Sequence, residues 1–472
     1  MNLIHKVWHS PTLMTYGSFI ARSFGLLVVL PFLLTRLTTE EISLWYLFSA
    51  IAGFQLLIDL GFSPTFSRVI AYAMGGADVH TIESPRGDAR GSPNWETLER
   101  ICSTMGYVYS RLGVAWFLIL VCVGTLAVYR PITMIEDGNF AWLAWAVVLV
   151  SSTISFFGIA YSSYLQGVNQ IAVLRRWEII TSIGSTVTSV LVLTNGGDLL
   201  ALVIASYSWQ VFNVFRNRWL SRTILDARMK TFHGIARDEK VLDAVWPSTW
   251  RTGIGVLTGY TVVQASSIIY AQFASPSAAA SYFLALRLIQ AVSQFSQAPF
   301  YSKLPTLARL YSEGRNSDLV QLARKGMSLA YLTFVAGFVI LGVFGAPILE
   351  MIGSNAAFPD FLLWALFGVA YFIERYGAMH INLYATTNDI INHVANGVAG
   401  IIYVVVGVIG FRYMGIYAFP VALIVGNAGF YAWYAASHSY RAFGLGFLLF
   451  ERAAMLPYLA VLFLYIMTVS FR

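Results

Sequence analysis

A few ionisable side chains stand inside stretches that are otherwise apolar, and these are the residues equipped for chemistry. Arg22 lies within 15–35, Asp59 within 44–66, Arg287 within 278–300, and Glu374, Arg375 and His380 within 360–383. A guanidinium keeps its proton and presents a planar fork of donors that matches phosphate oxygens. Arg22 and Arg287, with Arg375 beside them, are therefore candidates to hold an anion. Carboxylates and imidazole relay protons or take up a cation inside pumps, which makes Asp59, Glu374 and His380 candidates for ion coupling. Plainer roles compete: Asp59 can neutralise Arg22, Arg287 can satisfy loose helix carbonyls, and Glu374 and His380 can be packing partners. Four further cations, Arg68, Lys303, Arg111 and Arg251, fall near the inner ends of apolar stretches, where a long side chain snorkels to head groups.

Such residues must be positioned by lipid-embedded elements. Of 472 residues, 57% are hydrophobic and 11% charged, against roughly a quarter charged in an ordinary soluble domain. One core could not hide so much apolar surface. The apolar runs are about twenty residues long, the length of helix that crosses about 30 Å of hydrocarbon. They are continuous rather than alternating, which excludes a transmembrane β-barrel. Spans are expected at 15–35, 44–66, 105–128, 141–164, 178–193, 199–215, 248–272, 278–300, 327–348, 360–383, 392–411 and 416–437, with a thirteenth over 453–470. A charge at mid-bilayer costs about 2.5–3.5 kcal/mol on insertion scales, so ionisable residues there face a bundle interior or a wet cavity.

Charge sets the orientation. With the N-terminus inside, the inner segments hold 21 Lys and Arg and the outer segments four, Arg36, Arg130, Arg412 and Arg472. Lys and Arg collect on the cytoplasmic side of membrane proteins, so the net charge of +7 reads as topology and attraction to anionic lipid rather than as a nucleic-acid surface. The opening "MNLIHKVWHSPTLMTYGSF" has one lysine and no small-residue cleavage pattern, so a retained anchor is expected there. Cys102 and Cys122 form no CxxC pair, which supports neither a disulfide framework nor a metal site.

The charge-rich segment 216–247 divides the twelve spans six and six, giving an expected N-terminal bundle over 1–215, a linker, a C-terminal bundle over 248–437 and an extension over 438–472. The halves look duplicated. "PTFSR" at 64–68 is respelled "PFYSK" at 299–303, each at the expected inner end of the second span of its half. The stretch 97–124 can be laid on 318–345 with Leu98/Leu319, Val114/Val335, Ala115/Ala336, Phe117/Phe338, Ile119/Ile340, Leu120/Leu341 and Gly124/Gly345 identical. An additional polar, Gly/Pro/Ser-rich loop, "ADVHTIESPRGDARGSPN", accounts for the longer first half. An even number of spans per copy gives both copies one orientation, the layout of transporters that bind substrate between halves.

The fifth span, "EIITSIGSTVTSVLVL", is short and rich in Ser and Thr, as suits close packing or a cavity wall, with packing the simpler expectation. Aromatics form 15% of residues and mark interfacial belts. No GxSxG, HExxH or P-loop occurs, and no outer loop exceeds about a dozen residues, so neither a membrane enzyme of polysaccharide assembly nor ATP-driven export is favoured.

The segments "LWYLFSAIAGFQLLIDLGFSPTFSRVIAYA" (44–73) and "YFLALRLIQAVSQFSQAPFYSKLPTLARLYSEG" (282–314) resemble spans two and eight of bacterial O-antigen-type polysaccharide flippases, in the multidrug/oligosaccharidyl-lipid/polysaccharide (MOP) exporter superfamily. The elements that carry the resemblance are Asp59-Leu60-Gly61-Phe62 with Arg68, the Leu-Arg-Leu around Arg287, and Pro305 to Gly314. It implies an all-α integral membrane fold of two six-helix bundles in a pseudo-twofold V around a cationic cavity. It further implies transfer of undecaprenyl-pyrophosphate-linked oligosaccharide between leaflets of the bacterial inner membrane by alternating access, driven by an H+ or Na+ gradient with no bound cofactor. Arg22, Arg287 and Arg375 then become pyrophosphate ligands, and a polysaccharide polymerase and chain-length machinery the implied partners. A multidrug exporter of the same superfamily would favour acidic cavity residues instead, and the deep arginines argue against it. A major facilitator shares the six-plus-six layout, but no Gly-x-x-x-Asp-Arg-x-Gly-like segment follows span two.

Overall fold

The computed structural model describes residues 8, 10–81, 92–133, 138–224, 237–273, 276–352 and 358–470, and among them there is no β-strand. The middle of the expected inserted loop, 82–91, and the middle of the expected linker, 225–236, lie outside the described residues, as do 1–7 of the expected anchor and Arg472. The chain divides into two compact units, with the boundary at Trp246/Pro247.

In the first unit, α1 (Pro11–Arg36) starts where the Ser10 hydroxyl accepts the Leu13 amide at 3.3 Å and Pro11 supplies a preset φ. A capping box between Thr38 and Glu41 opens α2 (Thr39–Gly53). The expected single span 44–66 is broken: α2 gives way at Phe54 to the short α3 (Gln55–Ile58), a turn at Asp59–Gly61 separates α3 from α4 (Phe62–Met74), and the chain bends by 46° there. The physical reason is local. Leu60 and Gly61 take φ of 50° and 82°, a left-handed pair that ends a helix, for which glycine is suited and leucine is not.

The unit continues with α5 (Trp95–Ile119), a π turn at Leu120–Gly124, and α6 (Thr125–Ile132). Then come α7 (Gly138–Phe157), α8 (Ile159–Gly167), α9 (Ile171–Thr194) and α10 (Leu199–Thr223). The fifth span is longer than expected: the helix runs through charged residues before the apolar stretch, where Arg175 and Glu178 pair across one helical turn at 2.7 Å. Helix α9 lies along α1. A Cβ on Gly25 would come within 2.4 Å of the Thr186 hydroxyl and one on Gly17 within 2.7 Å of Ile179, so small residues set the approach of the two backbones.

The second unit holds α11 (Glu239–Phe273, from Pro247 onward), α12 (Pro276–Tyr301), α13 (Leu304–Ser312), α14 (Asn316–Ile352) and α15 (Phe361–Tyr384). These are followed by α16 (Asn392–Met414), then α17 (Ala418–Gly426) joined through a π turn to α18 (Ala432–Phe443). Helices α19 (Phe447–Ala454) and α20 (Leu456–Ser470) end it. The expected linker 216–247 is therefore helical at both ends, completing α10 and opening α11. Arg216 and Asn217 are buried in the first unit, which is why the charge there did not make a loop.

Helical stretches occur, in chain order, where all thirteen spans were expected. The thirteenth is a pair, α19 and α20, bent by 59°. The extension 438–472 is not peripheral: Phe450, Ala454, Met455 and Leu462 belong to the same buried cluster as Tyr331, Phe334 and Phe338 of α14 and Trp364, Phe367 and Phe372 of α15.

The duplicated motif does not have duplicated geometry. Pro64–Arg68 lies inside α4, after the break, whereas Pro299–Lys303 finishes α12 and forms the turn before α13. The later alignment holds better, since α5 and α14 begin at Trp95 and Asn316 with the same offset as Leu98 and Leu319, both buried. Phe117 and Phe338 diverge, the first exposed and the second stacked on Trp364 at 5.1 Å.

Two cavities as candidate substrate sites

The first unit contains a cavity of about 450 Å³ between α1, α2, α9 and α10. One side of its wall is a ladder of hydroxyls: Thr181, Ser182, Ser185, Thr186 and Ser189 follow one another up α9, facing apolar residues such as Val29, Leu33 and Trp45. The Ser/Thr-rich fifth span thus meets both expectations, packing closely on α1 through Thr186 and also forming a cavity wall. Arg22 also lines it. Around Arg22 sits a cluster the sequence reading missed. The Glu178 carboxylate accepts from Ser18 at 2.6 Å and from Arg175 at 2.7 Å, and stands 3.7 Å from Arg22. Arg216 lies within electrostatic reach of the same carboxylate and bonds Asn217 at 2.6 Å, leaving its buried Nη1 without a hydrogen-bond partner. Three guanidiniums thus face one carboxylate. The Phe19 ring lies 5.3 Å from the Arg22 guanidinium and 6.0 Å from that of Arg175, adding cation–π support. Arg22 remains 51% exposed and is held only loosely.

Asp59 is not the partner of Arg22. It is buried and accepts from the Tyr109 hydroxyl at 2.7 Å and the Ser63 amide at 3.1 Å, so it stitches the α3–α4 break to α5. The carboxylate that answers Arg22 is Glu178, which had been read as the first residue of a span rather than as part of a polar cluster. An Arg-x-x-Glu spacing at a helix start is the signal that could have found it.

A second cavity, of about 460 Å³, lies wholly in the second unit. Gln290, Ser293, Gln294, Gln297 and Tyr301 present one face of α12 to it, and Asn382, Asn392, Asn396 and Asn427 supply amides from α15, α16 and the π turn. Asn396 donates to the Gly255 carbonyl at 3.1 Å, an approach possible because a Cβ on Gly255 would lie 2.6 Å from Asn392. Tyr371, Tyr403 and Tyr431 join Tyr301 in the lining, with Val256, Ile381 and Leu423 among the apolar residues between the polar groups. The charges here cancel: Arg375, 1% exposed, bonds Ser293 and pairs with Glu374 at 3.2 Å.

Arg287 lies on α12 and is exposed, in neither cavity lining. Its spacing continues the Gln290–Gln294–Gln297 stripe by about one turn. His380 is buried on another face of α15, bonded to Ser439 and Glu451. Of the four cations expected at inner ends, Arg251 pairs with Asp389 at 3.3 Å, Arg111 is exposed with its guanidinium 5.4 Å from the Tyr107 ring, and Arg68 and Lys303 are half-buried. Near the start of α5, the Arg100 guanidinium bonds Asp238 at 2.6 Å and holds that carboxyl below the usual carboxylate range.

No family model and no curated protein sequence matches the chain. Solved structures do. A point mutant of the Vibrio cholerae MATE transporter VcmN superposes with a TM-score of 0.70 at 15% identity, covering 93% of this chain and 97% of that one. A MATE in the bent conformation gives 0.70 at 11% identity, covering 96% and 97%. The fold is that of a MATE transporter. An outward-facing multidrug resistance MATE family transporter of the MOP superfamily agrees, at 0.67 and 13% identity over 94% and 98%. At these identities the MATE likeness describes the backbone path, and the two linings described above belong to this sequence.

Proposed function

We propose that the chain is a transporter that carries undecaprenyl-pyrophosphate-linked oligosaccharide from the inner to the outer leaflet of a bacterial cytoplasmic membrane, with its N-terminus cytoplasmic, for surface polysaccharide assembly. The observation that carries this reading is the surplus of guanidinium over carboxylate beside the first cavity, where Arg22 lines the wall and shares Glu178 with Arg175 and Arg216 just outside the lining. A diphosphate cannot enter hydrocarbon unaided, and guanidiniums beside hydroxyls replace the hydration it loses. The amide- and tyrosine-lined second cavity suits sugar hydroxyls, which need donors, acceptors and flat apolar faces. An H+ or Na+ gradient would drive the cycle.

Multidrug export is the second reading. Glu374, 34% exposed in a tyrosine-lined cavity, is what favours it, since an aromatic cation would find both a carboxylate and rings there. Deletion of the gene separates the two. The flippase reading expects lipid-linked oligosaccharide to collect on the cytoplasmic leaflet with unchanged sensitivity to cationic dyes. Normal leaflet distribution together with dye hypersensitivity would transfer the assignment to drug export.

A further inference from the structure

The asparagines of the second cavity are tethered by their nitrogen ends. Asn382 donates to the Ala378 carbonyl at 2.8 Å and to the Tyr301 hydroxyl at 3.2 Å. Asn396 donates to the Gly255 carbonyl at 3.1 Å, and Asn427 to the Ala370 carbonyl at 3.4 Å. A carbonyl only accepts, so each contact fixes which way the amide lies. The nitrogens are turned to the protein, and the oxygens, with two lone pairs apiece, are the ends left for a ligand. Oδ1 of Asn392, in the same lining, is buried with no partner.

The ion pair adds to this bias. Arg375 is 1% exposed and Glu374 34%, so the accessible half of the pair is the carboxylate. Arg375 Nε and the Tyr371 hydroxyl are unpartnered donors, but both belong to buried residues. Gln290, Gln294 and Gln297 can turn either end of their amides to a ligand. Fixed acceptors therefore outweigh accessible fixed donors. A ligand that fits such a wall brings hydrogen-bond donors and no negative charge. Hydroxyls of a neutral sugar ring satisfy the amide oxygens, and the tyrosines of the lining offer the ring apolar surface. A carboxylate on the same ring would give up its water to a wall of oxygens beside Glu374, and an unpaired buried charge is costly.

We propose that the second cavity is a glycan-selecting site that takes neutral sugar rings and rejects uronic acids, with Asn382, Asn396 and Asn427 as its acceptors and Glu374 as its excluding charge. The cavity's volume of about 460 Å³ lies in the range of small-ligand pockets. The proposal rests on the flippase reading for the presence of a sugar. It narrows that reading from any oligosaccharide to one whose ring held here is uncharged.

The test uses the full chain in phosphatidylcholine nanodiscs and two probes that differ only at C6, methyl glucoside with a hydroxymethyl group and methyl glucuronide with a carboxylate. Saturation-transfer NMR titrations should show the glucoside binding tighter by about tenfold or more. Glu374→Gln removes the negative charge at nearly constant shape, and should raise glucuronide affinity about fivefold while leaving the glucoside unchanged. Asn382→Leu should weaken glucoside binding about fivefold, the scale of one hydrogen bond. Equal binding of the two glycosides by the unmodified protein, binding of neither, or a selectivity that Glu374→Gln leaves as it was overturns the proposal. So does full glucoside affinity in Asn382→Leu; if that variant fails to fold, the two probes and Glu374→Gln decide. No lipid-linked diphosphate enters the assay, so failure here leaves the flippase reading to its own leaflet measurement. Glycoside selectivity in a protein that moves no lipid-linked oligosaccharide would sink that reading and keep this site.

Discussion

The two units carry cavities of nearly equal volume and opposite electrostatic design. Beside the first, three arginines share one glutamate, with Arg22 alone of them in the lining, and the hydroxyls of α9 stand among apolar side chains. In the second, one arginine and one glutamate cancel and the wall is amide and tyrosine. What differs is how firmly the charges are held. Arg22 is half exposed and its carboxylate is already engaged by Ser18 and Arg175. Arg375 is sealed and its bonds are all internal. A loosely held cation can be recruited by a ligand, whereas a buried pair is part of the scaffold. Cavities of similar size in the two units therefore need not hold their charges in the same way.

Breaking the buried pair should give the largest stability effect. Arg375→Ala leaves Glu374 beside an empty pocket, and removing one partner of a buried pair costs about 3–5 kcal/mol. The partial exposure of Glu374 places this variant at the lower end, to be read as an early thermal unfolding transition in detergent. Arg22→Ala should behave in the opposite way, with near-normal unfolding but weaker hold on a diphosphate by about 2 kcal/mol, the scale of one hydrogen bond to a charged group. An isotherm with an undecaprenyl diphosphate probe reads that loss, and equal effects of the two substitutions on stability would erase the contrast.

Packing sharpens the comparison next. Gly25→Leu drives a side chain into Thr186, and overpacking of this kind costs about 1–3 kcal/mol. It should narrow the first cavity and lower transport while leaving ligand affinity in the second unit unchanged. In the second unit, Gln294→Leu should reduce transport a few-fold with no shift in unfolding, since Gln294 only lines the cavity. The smallest effect belongs to Asp238. Its folded carboxyl titrates below the ordinary value because Arg100 bonds it, so the pair stabilises above about pH 4. That contribution fades as pH falls through the lowered value, and exposed pairs of this type contribute under about 1 kcal/mol. Asp238→Asn should flatten the acid side of the unfolding profile slightly and leave neutral pH nearly unchanged.

Span positions were legible in the sequence because hydrocarbon thickness sets the length of an apolar run, and that signal needs no partner. The break at Asp59–Gly61 was not, since an uninterrupted apolar pattern hides a left-handed turn at Leu60. Arg22 and the Glu374–Arg375 pair were visible as ionisable residues among apolar ones. Their roles were not, because the exposure of Arg22 and the burial of Arg375 depend on neighbours more than a hundred and more than eighty positions away, Glu178 and Ser293. Glu451 was overlooked for a related reason. It lies in a segment read as an extension, although it is the only acidic residue in 438–472, and its partner His380 is seventy-one positions away.

The most direct measurement is the rate at which a fluorescent undecaprenyl-diphosphate oligosaccharide crosses reconstituted vesicles containing the full chain, compared with Arg22→Ala and Arg175→Ala. Transfer by the unmodified protein that falls at least tenfold in both variants, with their unfolding unchanged, is the expected result. Equal transfer by all three proteins would contradict the assignment of the guanidinium cluster to the diphosphate.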